Sequence, residues 1–199
     1  GSDAQGDVMY YNGSDWARLA AGTSGHFLKT QGTGANPAWA EAGGGKVLQV
    51  VSTTKTDTFS TTSDSFTDVT GLTVSITPAA TSSKVLVIAS VVWTNVGGTS
   101  HNFYGRLMRD STALHVGTGS IGSRVAASFG GDSVGVNSRN TSSINFLDSP
   151  SSTSAIAYHI EARSQTSGQA VYVNRSATDT DGLPYSRLAS TVTAMEIGA

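Results

Sequence analysis

Hydrophobic and polar positions along this chain either alternate on a two-residue period or fall in short apolar bursts, and nowhere is a helical spacing of three and four sustained. A two-residue period puts successive side chains on opposite faces of a strand, so the pattern predicts an all-β protein. From Lys46 onward β-branched residues dominate. The strands read, in order, as Val47–Ser52, Thr56–Ser60, Phe66–Ile76, Lys84–Thr94, a hairpin over Asn102–Leu114 turning at Asp110-Ser111, two weaker strands within Val125–Phe146, then Ala155–Ser164, Val171–Asn174 and Arg187–Ile197. Thr70-Gly71 interrupts the third run with the signature of a bulge or bend, and Pro78 ends it. Lys84–Thr94 (KVLVIASVVWT) is apolar on both faces, which predicts a core on one side and another sheet or subunit on the other. In Arg187–Ile197 the inward set is open between Leu188/Val192 and Met195/Ile197. Many short strands with turns at roughly eight- to twelve-residue spacing predict a β-sandwich with Greek-key or jelly-roll winding.

The first forty residues follow a different rhythm. Bursts at Val8–Tyr11, Trp16–Leu19, Phe27–Leu28 and Trp39 are separated by turn clusters at Asn12-Gly13, Gly22–Gly25 and Gly32–Pro37. These are very short strands, and none can build a core by itself. Tyr10, Tyr11, Trp16, Leu19, Phe27, Leu28 and Trp39 therefore need burial against something else, most economically against the same segment of neighbouring chains. Gly43-Gly44-Gly45 reads as a linker. The expected organisation is a short-strand segment over 3–42, a linker over 43–45 and a β-sandwich head over 46–199. Gly1-Ser2 with no initiator Met reads as a scar ahead of a fragment of a longer chain.

Composition narrows the partners. Twelve Lys and Arg against fourteen Asp and Glu leave a net charge of -2, and only 13% of residues are charged. Ser and Thr fill about a quarter of the chain, a share that charged residues usually hold. A neutral, hydroxyl-rich surface without an arginine and aromatic stripe argues against nucleic acid. Zero cysteines remove disulfides and thiolate metal sites together. No run approaches the roughly twenty apolar residues of a membrane span, so membrane insertion is not expected.

Catalytic patterns are sparse. No Gly-x-Ser-x-Gly elbow is present, and His26, His101, His115 and His159 each stand apart from a nucleophile and an acid. His159 and Glu161 share a strand face and are expected to hydrogen-bond to each other. Asp179 and Asp181 sit on one loop, which makes them poor acid and base on opposite sides of a glycosidic bond. The TDTDG run at 178–182 supplies two carboxylates of a Ca²⁺ loop but lacks the closing Glu, so it reads as a surface turn. The expectation is a non-enzyme with no cofactor and no metal.

Gly6, Asp7, Tyr10–Ser14, Trp16, Arg18, Leu19, Gly22–Gly25, Phe27–Thr30, Gly32, Asn36, Pro37, Trp39 and Ala40 together resemble the collar repeat of bacteriophage tail fibres and related trimeric phage structural proteins. The order and lengths of the later strands are similar to the trimeric jelly-roll heads of the complement and tumour necrosis factor type. The resemblance implies a homotrimer on an extracellular virion tail fibre. Its tip would attach the virion to a host cell-surface glycan or outer-membrane protein, or would act as a structural cap that binds nothing. Strand parity counted from the collar puts the loops Asn95–His101, Asp148–Ser154 and Thr178–Tyr185 at its far end. On them Asn95, His101, Asn102, Tyr104, Asp179, Asp181 and Tyr185 are the candidate receptor-binding residues, offering ring faces and hydrogen bonds to a sugar. Trp93 and Tyr104 lie on strands, where a core or subunit-interface position is the alternative.

Overall fold

Two antiparallel hairpins make up the N-terminal unit: β1 (Val8–Tyr11) with β2 (Trp16–Leu19), and β3 (Phe27–Lys29) with β4 (Ala38–Ala40). The Asn12 side chain closes the first turn by accepting the Ser14 and Asp15 amides, each at 2.9 Å. Trp39 lies flat against Gly22, where an added Cβ would come within 2.5 Å of the ring, and its indole N–H donates to Ala20 O at 2.7 Å. Beyond that contact little is covered: Met9, Tyr11, Trp16, Phe27 and Leu28 stay exposed, Trp16 at 70% and Phe27 at 62%.

The computed structural model describes residues 3–41, 46–96, 101–118, 122–133, 135 and 137–198, and divides the chain into the units Gly1–Gly45 and Lys46–Ala199. The glycines read as a linker lie outside the described residues, as do 97–100 of the Asn95–His101 loop. Among the described residues there is no helix.

The second unit is a β-sandwich of β5 (Val47–Lys55), β6 (Phe59–Thr61), β7 (Thr67–Ile76), β8 (Lys84–Asn95), β9 (Phe103–Arg109), β10 (Thr112–Leu114), β11 (Phe129–Gly131), β12 (Asn140–Asp148), β13 (Ile156–Ser164), β14 (Val171–Val173) and β15 (Ser190–Ile197). Three pairs of these elements each follow one strand line with an interruption. β5 and β6 run alongside β15 and β14, β14 and β15 both lie on the same edge of β8, and β10 and β11 both lie on the same edge of β9. Counted as lines 1 to 8, the sheets read 1-8-3-6 and 2-7-4-5, which is jelly-roll winding.

Lys84–Asn95 is the spine, with β12 along Val85–Trp93 of one edge and β15 then β14 along the other. Its inward residues Val85, Val87, Ala89, Val91 and Trp93 meet Val69, Leu72, Val74 and Ile76 of β7 and Leu107, Tyr158, Ile160 and Ala162 of the facing sheet in one core. Trp93 is a core residue: its ring stacks on Phe103 at 4.9 Å and its N–H donates to Ser142 Oγ at 2.9 Å. Gly105 is required by close approach, since a Cβ there would lie 2.2 Å from the Phe129 ring that caps this stack. The register skip in the β13–β7 ladder falls opposite Thr70-Gly71, where Gly71 takes φ 86°. In β15 the inward set is Val192 and Ala194, and Met195 and Ile197 point outward.

Val47, Lys84, Asp148 and Ile197 mark one end of the sandwich. The connections at 77–83, 110–111 and 149–155 lie there, and those at 62–66 and 165–170, with the described residues 96, 101–102, 132–133 and 137–139, lie at the other end. The expected placement of Asp148–Ser154 away from Val47 is therefore corrected. The count failed because β10 and β11 run in the same direction along β9 and occupy one line, not two. Thr178–Tyr185 belongs to neither end, because it leaves and rejoins the strand line between β14 and β15.

Two polar clusters close the Val47 end. Asp148 accepts from Arg109 Nη1 through both oxygens, at 2.9 and 2.8 Å, and from the buried Tyr158 hydroxyl at 2.7 Å, which ties the two sheets together. Burial first, and then the bond to Asp148, push the Tyr158 phenol well above its usual range, so it remains a donor. Glu196 is buried and accepts from Gln49 Nε2 at 2.8 Å and from the Ala79 amide at 2.7 Å. Burial alone would raise its carboxyl, but these donors outweigh that and hold it below its ordinary 4.5. A depressed folded value means stability that is present above pH 4.5 and lost as the pH falls through the folded value. Glu196→Gln is expected to flatten that acid limb of a urea-midpoint profile, and an unchanged slope below pH 4.5 would remove Glu196 as its source.

Candidate functional site

The clearest hollow formed by residues that the sequence singles out lies on the 175–187 excursion. It encloses about 670 Å³ and is lined by Asp179–Leu183 and Tyr185–Arg187. An isolated Arg175–Arg187 bridge and the Leu188 amide, which donates to Asn174 O at 3.0 Å, form its neck. Within it Asp179 receives Arg187 at 2.8 Å and Arg175 at 3.2 Å, and Arg175 also lies over the Tyr172 ring at 4.5 Å. Two guanidiniums on one carboxylate make Asp179 a brace for the loop. Asp181 is exposed, Tyr185 is half-buried in the wall, and Leu183 at the rim is 98% exposed. The hollow offers a carboxylate, a phenol ring and the hydroxyl of Thr180, a set suited to a neutral polyhydroxyl ligand. The Asp179–Asp181 turn gathers no third acidic, His or Cys ligand among the described residues.

The other candidates do not join this hollow. Asn95 is fully buried: its amide donates to Asp132 Oδ1 at 3.2 Å and its carbonyl accepts from Ser133, so it anchors the 132–133 segment. Asn102 donates to Gln165 Oε1 and accepts the Gln165 amide at 2.9 Å, clasping two connections at the end of the sandwich away from Val47. His101 is half-buried beside it, and Tyr104 points outward from β9.

Tyr104 lines a second hollow, of about 660 Å³, on the outer face of the β7–β13–β9 sheet. Here Phe66, Tyr104, Arg106, Arg124, Arg163 and Gln165 converge. Arg163 sits opposite Tyr104 in the ladder, and Glu161 opposite Arg106, with which it forms an ion pair. The expected His159–Glu161 pair is corrected: on a twisted ladder each bonds across to a neighbouring strand, His159 Nε2 to Asp68 at 3.3 Å and Glu161 to Arg106. Asp68, His159 and Glu161 bring ligand atoms within 4.8 Å of one another, but Arg106 already neutralises Glu161. The residues passed over in the sequence were Phe66, Arg106 and Arg163. Their signal was the two-residue spacing of Tyr104 with Arg106 and of Glu161 with Arg163, which becomes a site only when β9 and β13 are known to pair.

No protein-family model matches this chain, and no curated protein matches it. Among solved structures, the infectious bursal disease virus Gx strain is similar at 13% identity and TM-score 0.39 over 93% of this chain and 47% of the other. The T13 viral particle of the same virus matches at 15% identity and TM-score 0.39, over 92% of this chain and 45% of the other. A third, the VP2 subviral particle of that virus, matches at 18% identity and TM-score 0.32, over 92% and 47%. The chain spans about half the length of these solved chains, which are proteins of virus particles, and likeness of this degree carries no inference about its activity.

Proposed function

We propose that this chain is the distal tip of a bacteriophage tail fibre, a homotrimeric receptor-binding protein that attaches the virion to its bacterial host. The role is one of binding and assembly, without catalysis. The observation that carries the reading is the uncovered aromatic surface of the N-terminal hairpins. Trp16 at 70% exposure and Phe27 at 62% fall in the segment that resembles a trimeric fibre collar. Exposed aromatics of this size are normally buried by a partner.

The sandwich has a matching surface of its own. Across the outer face of the sheet of β5, β15, β8 and β12, Val50, Met195, Leu86 and Leu147 form one row by register, and Ile88 lies in the next. Val50 and Leu147 are half exposed, and these two rows, completed by Ser52, Thr193 and Asn145, carry no charge. Copies of one uncharged face meet no like-charge repulsion, so further copies of this chain are the occupants that fit.

Light scattering tests the assembly. The full chain is expected at three times the mass of one chain, and Trp16→Ser with Phe27→Ser is expected to lower that mass. A monomer at micromolar concentration, or a trimer indifferent to both substitutions, would sink the collar reading. Receptor binding has a separate readout, which is competition by the purified trimer for virion adsorption to host cells. Substituting Asp181 and Tyr185 with Ala is expected to abolish competition; an intact double variant that competes fully would leave the role of a structural cap.

A further inference from the structure

The hollow on the outer face of the β7–β13–β9 sheet is chemically unlike the rest of the surface. Its lining holds Arg106, Arg124 and Arg163 against the one carboxylate of Glu161 paired with Arg106, in a chain whose net charge is -2. Charge of one sign gathered in a concave, partly apolar site is an arrangement that concentrates ligands of the opposite sign.

The guanidiniums of Arg106 and Arg163 are held in place before any ligand arrives. Arg106 is fixed from one side by Glu161 and from the other by the Phe66 ring, 4.1 Å from its centroid. Arg163 stands between two rings, 5.8 Å from Phe66 and 5.9 Å from Tyr104. Its Nε donates to Ser164 O at 2.9 Å, and its terminal nitrogens meet no acceptor among the described residues. A planar two-pronged donor with its stem anchored and its tips unused matches a carboxylate, which accepts two parallel N–H bonds. Beside it, Gln165 accepts from Asn102 through its carbonyl, so its amide NH₂ can donate into the hollow. The Tyr104 ring supplies an apolar face of the kind that packs against the C–H face of a pyranose, while the Phe66 ring backs both guanidiniums.

We propose that this groove binds an acidic saccharide, with the sugar carboxylate on Arg163 and the ring against Tyr104. A volume of about 660 Å³ accommodates an oligosaccharide end and not a polymer track. Nucleic acid is the poorer fit, because three arginines in a single hollow offer no path along a phosphate backbone. The inference stands on this groove alone and does not depend on the fibre reading or on the 175–187 hollow.

Calorimetric titration of the full chain with trisaccharides ending in glucuronate, galacturonate or sialate, each beside its carboxyl-reduced counterpart, tests it. At least one acid is expected to bind, about tenfold or more tighter than its reduced form. Arg163→Gln is expected to weaken that acid about tenfold. Phe66→Leu, which keeps every charge, is expected to weaken it about threefold and decides the matter if the arginine variant does not fold. Asp181→Ala, in the other hollow, should leave it unchanged. Binding by none of the acids, equal binding of acid and reduced forms, an Arg163→Gln protein of unaltered affinity, or preference for an oligothymidylate of equal charge would each overturn the proposal. Acid binding without any effect of Arg163→Gln on virion adsorption would leave the groove standing and separate it from host attachment.

Discussion

Asn174→Ala is expected to lower the unfolding free energy of the sandwich by about 3–5 kcal/mol, the largest loss from any single polar side chain in it. Asn174 is fully buried at φ 64°, immediately after β14. Its amide nitrogen donates to Lys55 O at 2.8 Å and Asp57 O at 3.0 Å, its carbonyl accepts from Ser190 Oγ at 2.6 Å, and Ser190 in turn accepts the Val92 amide at 2.9 Å. The side chain thus fills the gap left where the β5–β6 line and the β14–β15 line break side by side. Alanine leaves two carbonyls and a hydroxyl short of partners, at about 1 kcal/mol or more each, and adds about 1 kcal/mol because it adopts the left-handed region less readily than asparagine. For a unit of this size the melting temperature should fall by about 10 °C at fixed protein concentration. Asn174→Gly, which removes the bonds but not the backbone freedom, should recover about 1 kcal/mol of that loss. A loss under about 1 kcal/mol for the alanine variant would show that water replaces the side chain in the gap.

Asp148→Ala should cost about 3 kcal/mol, by a different route. The carboxylate is 7% exposed and joins Arg109 of β9 and Tyr158 of β13 to β12, so its removal strands a guanidinium and a phenol at the closed end of the core. Because Arg109 keeps 26% of its side chain in contact with solvent, it can turn to water, which holds the loss to the lower part of the range for a broken buried pair. Changing Asp148 and Arg109 together to Leu is expected to cost less than Asp148→Ala alone. Chemical denaturation of the three variants measures this, and a double variant less stable than the single one would show that the ion pair does more than satisfy itself.

The sequence made legible those features that repeat along it. The long run KVLVIASVVWT, apolar on both faces, placed the spine within one residue of its observed end, and the turn chemistry of Asp110-Ser111 and the bulge at Thr70-Gly71 stand where local residue types put them. β12 was harder to see. Its run of Asn, Thr and Ser looks like a weak strand, yet it pairs along nine residues of β8, because a sheet edge is completed by backbone hydrogen bonds that any of those residues can make. Direction failed for the same kind of reason, since two short strands that share one edge of β9 are indistinguishable in sequence from two that cross the sandwich. The candidate site was legible only as loops. Asn95 belongs to a polar residue type that favours surfaces, and only the fold shows it satisfied in the interior. The arginine groove was illegible because Arg106 and Arg163, separated by more than fifty positions, meet only through the register of β9 against β13.

The excursion between β14 and β15 gives the fold a place where it can change cheaply. Arg175 bridges Arg187 and Asn174 receives the Leu188 amide, so the loop departs and returns at one point while the strands on either side keep their ladder partners. Residues inserted beyond that neck leave the core and the neighbouring strands as they are. They add only the entropy of a longer closed loop, about 0.6 kcal/mol for each doubling of its length. Such a position lets a lineage exchange one contact surface for another without refolding the scaffold, and it is where a foreign peptide could be displayed with the least harm to the rest of the chain.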